Sequence, residues 1–549
     1  MTGQAATLFD PGFERRTVGG LLRAQASRLA GRTWAIFEDA SFTFAEADRL
    51  VDGYATSLVS VGVGPEDRVG VMLDNSPEFL LLALALGRLG AVFVPLNLAL
   101  KGESLAHPIR RSVISTLAIE PGLAGRVLAH VDSLPDLHTL LVREPYDDGF
   151  DEEGASTLRV LPLGVLVAAA NAGSLPPEPS TFDPWSVMFT SGTTGLAKGA
   201  VMTHQYWYLV PAELSGAVRD VRDDDVFYVS SPMFHAAAWL VQIFPSLISG
   251  LPVAIDGRFS TSGFWDRVRR FGATQLLTMG ASHLWLWNQE PSDDDADNPA
   301  RVWAPVPLPY ELRAPFIKRF GIEHLWSTYG GTEFMSVTNT DVRRPWPAGG
   351  SGRARPSVEL AVLDDFGRRT APDEIGELCV RPLVPHAIFG GYLGMPETTL
   401  ERFRDLWYHT GDLVRIDATG ELFFVDRKDD YLRVRGENVA SYEVEIAIER
   451  HEAVTEVAAY GIRVGDAALV VEDEVMVAVV VREGAVVDPG ELLAFAGEQL
   501  PHFAVPRYVE FVSGLPRTAT GRIQKHLLRA RGMTPQTFDR VSAGMTVKR

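Results

Sequence analysis

Cysteine is almost absent from this chain of 549 residues, in which Cys379 is the single thiol. One thiol can form no internal disulfide and cannot supply a cysteine-based zinc site. We therefore expect a protein of a reducing compartment, the cytoplasm.

The sequence also lacks long apolar runs and an excess of positive charge. No uninterrupted apolar stretch approaches the roughly 20 residues that a membrane-spanning helix needs, and the N-terminus has no basic segment followed by an apolar run. The formal net charge of −19 argues against a basic surface for nucleic acid. We expect no export, no membrane span and no nucleic-acid partner, so any anionic ligand must be held by a local pocket.

Lysine is scarce, since only six of the 51 basic residues are lysines and the other 45 are arginines. This bias is a compositional preference of the whole chain. An arginine at a position where a lysine is expected therefore carries less information here than in most sequences.

What the chain has is length and apolar content, with 46% hydrophobic residues, which is enough for at least two domains. Residues 67–73, 78–88 and 91–95 read as strand, helix and strand, which is typical of α/β domains with mostly parallel sheets. After about residue 430 the pattern changes to shorter strands, with a helix near 442–451 and apolar residues over 474–481. This change predicts a smaller α+β domain at the C-terminus.

The strongest local signal is a run at residues 189–199 that follows a predicted strand and contains three glycines, four hydroxyl side chains and Lys198. Glycines let backbone N–H groups close around an anion, hydroxyls donate to phosphate oxygens, and the lysine adds a positive charge. The run is not a Walker loop, because Ala197 precedes the lysine and Gly199 follows it. A flexible turn is the alternative, and phosphate binding is the favoured interpretation.

This run resembles the phosphate loop of the adenylate-forming superfamily, which includes acyl-CoA synthetases, peptide-synthetase adenylation domains and luciferases. Residues 90–97, 329–333, 408–412, 426–430, 435–438 and 516–528 resemble further motifs of the family, in its order. The resemblance implies an α/β fold with a large N-terminal domain of mostly parallel sheets flanked by helices, residues 1–428. It also implies a small, mobile α+β C-terminal domain, residues 429–549, with a hinge near Asp429.

The resemblance further implies an ATP- and Mg2+-dependent enzyme that forms an acyl-AMP and passes the acyl group to coenzyme A. Glu333 would hold Mg2+, and Asp412 would bind the ribose hydroxyls with help from Arg427. The residues implied as catalytic are Lys198, His235, Thr332, Glu333 and Arg522. The residues implied as nucleotide-binding are Thr190, Ser191, Gly192, Thr193, Thr194, Gly195, Lys198, Val306, Tyr329, Gly330, Gly331, Thr332, Asp412 and Arg427.

Substrate binding is implied at two further places. The residues implied for the acyl pocket are His235, Ala236, Ala237, Gly280, Ala281 and Gly330. The residues implied for CoA binding are Arg435, Gly436, Glu437 and Asn438. The small side chains leave room for a bulky, mostly apolar carboxylic acid. An amino acid is disfavoured, because no aspartate stands beside Phe234 to pair with a substrate amine.

Two positions depart from the family pattern. Arg522 occupies the place of the family's catalytic lysine, which bridges the carboxylate and the α-phosphate; Lys525, three residues further on, is the candidate to replace it. Ala304 and Pro305 stand where the family usually has two glycines against the adenine. Both departures concern formation of the acyl-AMP. They leave open an enzyme impaired in that step, which takes a preformed acyl-AMP from a separate adenylating enzyme.

Other activities fit the same motifs less well. A non-catalytic protein that binds a nucleotide or an acyl-adenylate is one rival, and the intact run from Arg435 to Asn438 tells against it. Luciferase-like oxidation and loading of a carrier-protein thiol are further alternatives, and the fold alone does not decide among them.

Overall fold

The structure is a computed structural model. It describes residues 17–144, 158–168, 174–190, 197–280, 282–428, 432–434, 437–439, 441–463, 473–500, 502, 504–518 and 521–545. Within these ranges, no helix is both long and apolar enough to cross a bilayer.

Helices are distributed along the whole chain. They are α1 (Val18–Leu29), α2 (Phe44–Val61), α3 (Pro77–Leu89), α4 (Glu103–Arg111), α5 (Pro121–Leu128), α6 (Val165–Ala168), α7 (His204–Ala217), α8 (Phe244–Ser249), α9 (Phe264–Phe271), α10 (Ser282–Trp287), α11 (Tyr310–Phe320), α12 (Pro396–Arg402), α13 (Ser441–Glu449), α14 (Pro489–Gly497) and α15 (Lys525–Arg531).

Strands alternate with these helices up to about residue 330 and then follow one another more closely. They are β1 (Thr33–Ile36), β2 (Ser41–Thr43), β3 (Arg68–Met72), β4 (Val92–Pro95), β5 (Thr116–Ile119), β6 (Thr139–Val142), β7 (Arg159–Pro162), β8 (Pro184–Thr190), β9 (Lys198–Thr203), β10 (Phe227–Val229), β11 (Val253–Ile255), β12 (Gln275–Met279), β13 (Val302–Val306), β14 (His324–Leu325), β15 (Thr328–Tyr329), β16 (Thr338–Asn339), β17 (Arg353–Ala354), β18 (Val358–Leu363), β19 (Gly376–Pro382), β20 (Phe403–Arg404), β21 (Trp407–Ile416), β22 (Leu422–Arg427), β23 (Leu432–Val434), β24 (Glu437–Val439), β25 (Val454–Arg463), β26 (Asp473–Val481), β27 (Tyr508–Phe511) and β28 (Phe538–Asp539).

Two large sheets form the body of the N-terminal region. One has the strand order β7-β6-β5-β3-β4-β8-β9, and the other has the order β14-β13-β12-β10-β11-β1-β2. Neighbouring strands are parallel except for the edge pairs β8 with β9 and β1 with β2. Crossover helices join the parallel strands and cover the sheets, as parallel pairing requires.

The helix α3 shows how the sequence builds the interior. Ser76 caps its N-terminus by accepting the Phe79 N–H, Pro77 takes the first helical position, and Gly90 ends it at a φ of +78°. From Phe79 to Leu89 every residue of α3 is buried, and this apolar surface belongs to one core shared with side chains of both large sheets. The helix is apolar on all sides because it is surrounded by protein.

A third, antiparallel sheet of β18, β19, β21, β20 and β22 carries the chain towards the C-terminal region. Beyond it, β25, β26, β27 and β28 form a separate mixed sheet that packs on α13 and α14 around its own apolar core. The predicted fold class is confirmed: a large N-terminal α/β region with parallel sheets is followed by a smaller α+β region. The helix expected near residues 442–451 is α13, and the apolar alternation over 474–481 lies in β26.

Candidate active site

The predicted magnesium ligand, Glu333, lies in a short 3-10 turn (Thr332–Phe334) that directly follows β15. Gly330 is needed before this turn, because a Cβ there would lie 2.5 Å from the Ser336 backbone nitrogen. The hydroxyl of Tyr206, a fully buried side chain of α7, accepts the Met335 N–H at 2.9 Å. This hydrogen bond fixes the residue that follows the turn.

The carboxylate of Glu333 is suited to a hard cation. Its Oε1 accepts the Tyr392 hydroxyl at 2.7 Å, and Oε2 makes no hydrogen bond or ion pair within the part of the chain that the structure describes. Mg2+ prefers carboxylate and phosphate oxygens and keeps several waters. The residues present therefore fit a Mg2+ ion that one carboxylate and substrate phosphates would hold.

Tyr392 reaches this carboxylate because of strand pairing. Residues 390–393 run beside β9, where Gly390 N–H donates to the Val201 carbonyl at 2.7 Å and Leu393 N–H donates to the Gly199 carbonyl at 2.8 Å. The pairing also brings the Lys198 Nζ to 5.4 Å from the centre of the Tyr392 ring.

Lys198 begins β9 and is paired in register with Thr190 at the end of β8. Burial lowers the pKa of Lys198, the Arg402 cation lowers it further, and the Glu333 carboxylate opposes both. The cation therefore faces the same space as Glu333. The loop between the two strands holds five of the predicted phosphate contacts, which lie outside the described residues: Ser191, Gly192, Thr193, Thr194 and Gly195.

The predicted ribose-binding residue, Asp412, is buried in β21. It is paired in register with Arg427 of β22, and the Arg427 Nε lies 2.6 Å from its Oδ1. The hydroxyl of Tyr329 donates to its Oδ2. Burial raises the pKa of Asp412, whereas Arg427 and the Tyr329 hydrogen bond lower it. Three predicted nucleotide-binding residues thus meet at one buried carboxylate.

Arg522 comes from the C-terminal region and lies in a tight turn. Thr518 N–H donates to the Arg522 carbonyl at 2.8 Å, and Gly521 adopts a φ of +84°, which favours glycine. Burial lowers the pKa of Arg522 and Arg427 lowers it further, while Asp412 and Glu333 raise it. The side chain is partly exposed to solvent, and its charge interacts with both carboxylates, so the C-terminal region contributes a cation to the site.

Lys525, the candidate to replace Arg522, is bound to other residues. Lys525 Nζ lies 2.8 Å from Glu445 Oε1 and donates to the Ser441 hydroxyl at 2.5 Å, and both partners are on α13. The Ser441 N–H in turn donates to Asp426 Oδ2 at 2.5 Å. Lys525 therefore holds the C-terminal region together in this arrangement instead of serving the site.

The predicted acyl pocket begins at His235. Burial, together with a smaller effect of the Arg522 charge, lowers the pKa of His235 to about 4, so the imidazole is neutral near pH 7. Ala236 and Ala237 follow it, are buried, and lead into a π-helix (Ala238–Ile243). Gly280 has open space where a Cβ would stand, although its φ of +63° also disfavours any side chain there.

Residues 304–307 depart from the family pattern, but the structure shows that part of this departure lies in the core and not at the site. Ala304 lies inside β13 and is completely buried in the core, whereas Val306, at the end of the strand, is only half-buried. The Val306 carbonyl accepts the Gly280 N–H at 3.0 Å. The added Cβ of Ala304 is therefore accommodated by core packing, and Val306 is the more exposed of these two side chains.

Several further predicted residues cannot be placed. Asp429, Ala281, Arg435 and Gly436 lie outside the described residues, and for Glu437 and Asn438 the structure gives only their backbone in β24.

Sequence reasoning missed Tyr206, Tyr392 and Arg402. Each lies far along the chain from the residue that it approaches. A tyrosine, or an arginine in an arginine-rich chain, gives no local signal of its role.

The two parallel sheets, the antiparallel sheet that carries Asp412 and the small C-terminal region together define the fold of the adenylate-forming enzymes. Residues 22–393 match the family described as AMP-binding enzyme, and residues 443–522 match the AMP-binding enzyme C-terminal domain. The chain belongs to this family, in the acyl-CoA ligase branch of the adenylate-forming superfamily.

Similar proteins agree in sequence and in structure. The crotonobetaine/carnitine–CoA ligase of Salmonella choleraesuis is 31% identical over 532 residues, which cover 93% of this chain and 99% of the relative. ATP-bound MatB from Rhodopseudomonas palustris superposes with a TM-score of 0.80 at 25% identity, covering 94% of this chain and 99% of MatB. The anthranilate CoA ligase AuaEII, in complex with anthranoyl-AMP, has a TM-score of 0.82 at 21% identity, covering 99% and 100% of the two chains, and shares the fold.

Proposed function

We propose that this protein is an ATP- and Mg2+-dependent acyl-CoA ligase that joins a bulky, mostly apolar carboxylic acid to coenzyme A through an acyl-AMP. The observation that carries this proposal is the position of Arg522. The Asp412 and Glu333 carboxylates raise its pKa, and its charge lowers the pKa of His235, which supports a cation between the proposed nucleotide and acyl sites.

In the first half-reaction, a carboxylate oxygen of the acid attacks the α-phosphorus of ATP. The bond from this phosphorus to the bridging oxygen breaks, and the electron pair leaves with pyrophosphate. Arg522 would stabilise negative charge that develops between the carboxylate and the α-phosphate. Glu333 would hold a Mg2+ ion, which supplies charge neutralisation to the phosphates. Asp412 and Arg427 would fix the ribose, and Tyr329 would bind beside them.

In the second half-reaction, the CoA sulfur attacks the acyl carbonyl carbon and the carbon–oxygen bond to AMP breaks. The thiol proton goes to solvent and AMP leaves with the electron pair. His235 is neutral near pH 7, so it would orient the acyl group without adding charge. We propose that residues 429–549 rotate about a hinge at Asp429 for this step, so that Arg435, Gly436, Glu437 and Asn438 replace Arg522 at the site.

The substrate class follows from the small residues near His235. Ala236, Ala237 and Gly280 occupy little volume, and open space lies where a Cβ of Gly280 would be. Side chains of this size would leave room for a bulky group whose binding comes from burial of apolar surface. Ala281 and Gly330 are proposed as further parts of this wall.

A second candidate function is favoured by one observation. Lys525 is paired with Glu445, so it does not replace Arg522 in this arrangement. A guanidinium is longer and planar, and it does not substitute freely for a compact ammonium. In this alternative the enzyme is impaired in the ATP step and mainly converts an acyl-AMP, made by a separate adenylating enzyme, into acyl-CoA.

The two functions are separated by measuring each half-reaction alone over a panel of bulky acids. Acid-dependent exchange of labelled pyrophosphate into ATP, together with CoA thioester formation, is expected for the full ligase. Thioester formation from synthetic acyl-AMP without exchange would contradict the full ligase and support the alternative. Consumption of CoA in neither assay would contradict both and support a binding protein without activity.

A further inference from the structure

Arg402 ends α12 beside the candidate site. Its Nη1 lies 3.5 Å from the His409 carbonyl oxygen, and it would lie 3.1 Å from a Cβ added at Gly411. The guanidinium therefore lies against the turn that leads into Asp412, and it is half-buried there.

Arg402 and Lys198 form a pair of neighbouring cations. The Thr399 hydroxyl of α12 accepts the Tyr392 N–H at 2.9 Å, and the Lys198 Nζ lies 5.4 Å from the centre of the Tyr392 ring, so the helix that Arg402 ends and the strand that Lys198 begins meet at Tyr392. Burial lowers the pKa of Lys198, and the Arg402 charge lowers it further. The Tyr392 hydroxyl donates to Glu333, so this junction adjoins the Glu333 carboxylate. Within the described ranges, neither cation has a carboxylate at ion-pair distance.

Two half-buried cations beside the single Glu333 carboxylate leave an excess of positive charge. Bringing like charges together in a cleft is unfavourable unless an anion occupies the space between them. An arginine offers several fixed donors to phosphate oxygens, and a lysine adds a compact charge. This arrangement suits a ligand with more than one phosphate group.

The cations of the site divide into two groups. Arg522 and Arg427 lower the pKa of Asp412, and Arg522 also lowers the pKa of His235. We therefore assign these two cations to the ribose, the α-phosphate and the acyl group. Lys198 lies near the end of the predicted phosphate loop and begins β9, and α12, which Arg402 ends, contacts Tyr392 beside it. This second group of cations therefore adjoins the predicted phosphate loop.

We propose that Arg402, together with Lys198, binds the pyrophosphate end of MgATP and stabilises the charge that leaves with pyrophosphate. This proposal rests on the proposed function, since it concerns the ATP that the ligase would consume. It gives the first half-reaction a cation that the family motifs of the sequence did not indicate.

The test compares binding of MgATP and of AMP to the whole protein by calorimetric titration, which requires no knowledge of the acid. Arg402→Gln is expected to weaken MgATP binding by about tenfold to a hundredfold, as for loss of a hydrogen bond to a charged group. AMP lacks the β- and γ-phosphates, so its affinity should change by less than about twofold. Arg402→Lys should recover part of the lost MgATP affinity, since it restores the charge.

The matched control is Arg404→Gln, which removes a nearby exposed arginine that lies 4.0 Å from Glu377. It should leave the affinities for MgATP and for AMP unchanged.

Wild-type affinity for MgATP in the Arg402 variant would overturn the proposal, and equal weakening of MgATP and AMP binding would overturn it in favour of a structural role. A wild-type protein that binds AMP but not MgATP would overturn it and favour the adenylation-impaired alternative. Binding of neither nucleotide would overturn the proposed function as well.

Discussion

Replacing Arg522 should separate the two half-reactions. Arg522→Ala removes the cation that faces Glu333, Asp412 and His235 and leaves the remaining residues of the site in place. We expect acid-dependent pyrophosphate exchange to fall steeply, because charge develops beside this guanidinium during formation of the acyl-AMP.

The magnitude follows from the charge and its exposure. A unit charge about 4 Å from a developing charge, at an effective dielectric constant of about 20, contributes about 4 kcal/mol, or roughly a thousandfold in rate. Arg522 is partly exposed to solvent, and screening reduces this value. We therefore expect a loss on the order of a hundredfold, which is the lower end of the range for a removed oxyanion donor.

The assay runs both half-reactions on the same preparation. Thioester formation from synthetic acyl-AMP should stay within about threefold of wild type, because in the proposed second pose residues 435–438 replace Arg522 at the site, so departure of AMP does not depend on this guanidinium. Arg522→Lys keeps the charge and is the matched control; if the native enzyme is impaired in the ATP step, this variant should increase exchange. Equal losses in the two assays, or unchanged exchange in Arg522→Ala, would refute the reasoning.

Two further predictions concern the metal and the pH dependence of stability. Glu333→Gln should raise the Mg2+ concentration for half-maximal exchange by about tenfold or more, because it removes a carboxylate ligand; an unchanged Mg2+ titration would contradict the assignment. Burial lowers the pKa of His204 to about 3, and its Nδ1 accepts the Val18 N–H. Below about pH 6.5 the unfolded chain therefore binds a proton that the folded chain does not. The free energy of unfolding consequently decreases as the pH decreases, by at most about 1.4 kcal/mol per pH unit. His204→Asn keeps an acceptor without titrating, and urea unfolding between pH 5 and 7 should show a smaller pH slope; equal slopes would refute this role.

Local pattern was enough for much of the fold. Residues 67–95 predicted the strand, helix and strand that appear as β3, α3 and β4, since the cap at Ser76, the proline at the first helical position and the glycine at the end act on their own neighbours. The change of texture after residue 430 predicted the smaller α+β region in the same way.

The sequence by itself determined the order of the motifs, and with it the family. It placed Glu333 and Asp412 in runs whose residue types suit Mg2+ and ribose, and it showed an arginine at position 522. These are properties of short segments, so they can be read without knowing how the segments meet.

Only the tertiary structure decided which charges share a space. It paired Lys525 with Glu445 and placed Arg402 beside Lys198, although about 200 residues separate the latter two. It also buried Ala304 inside β13. Distances between remote side chains depend on strand pairing and on the packing of whole sheets. No local pattern encodes those distances, whereas the chemistry of each motif is already present in its residues.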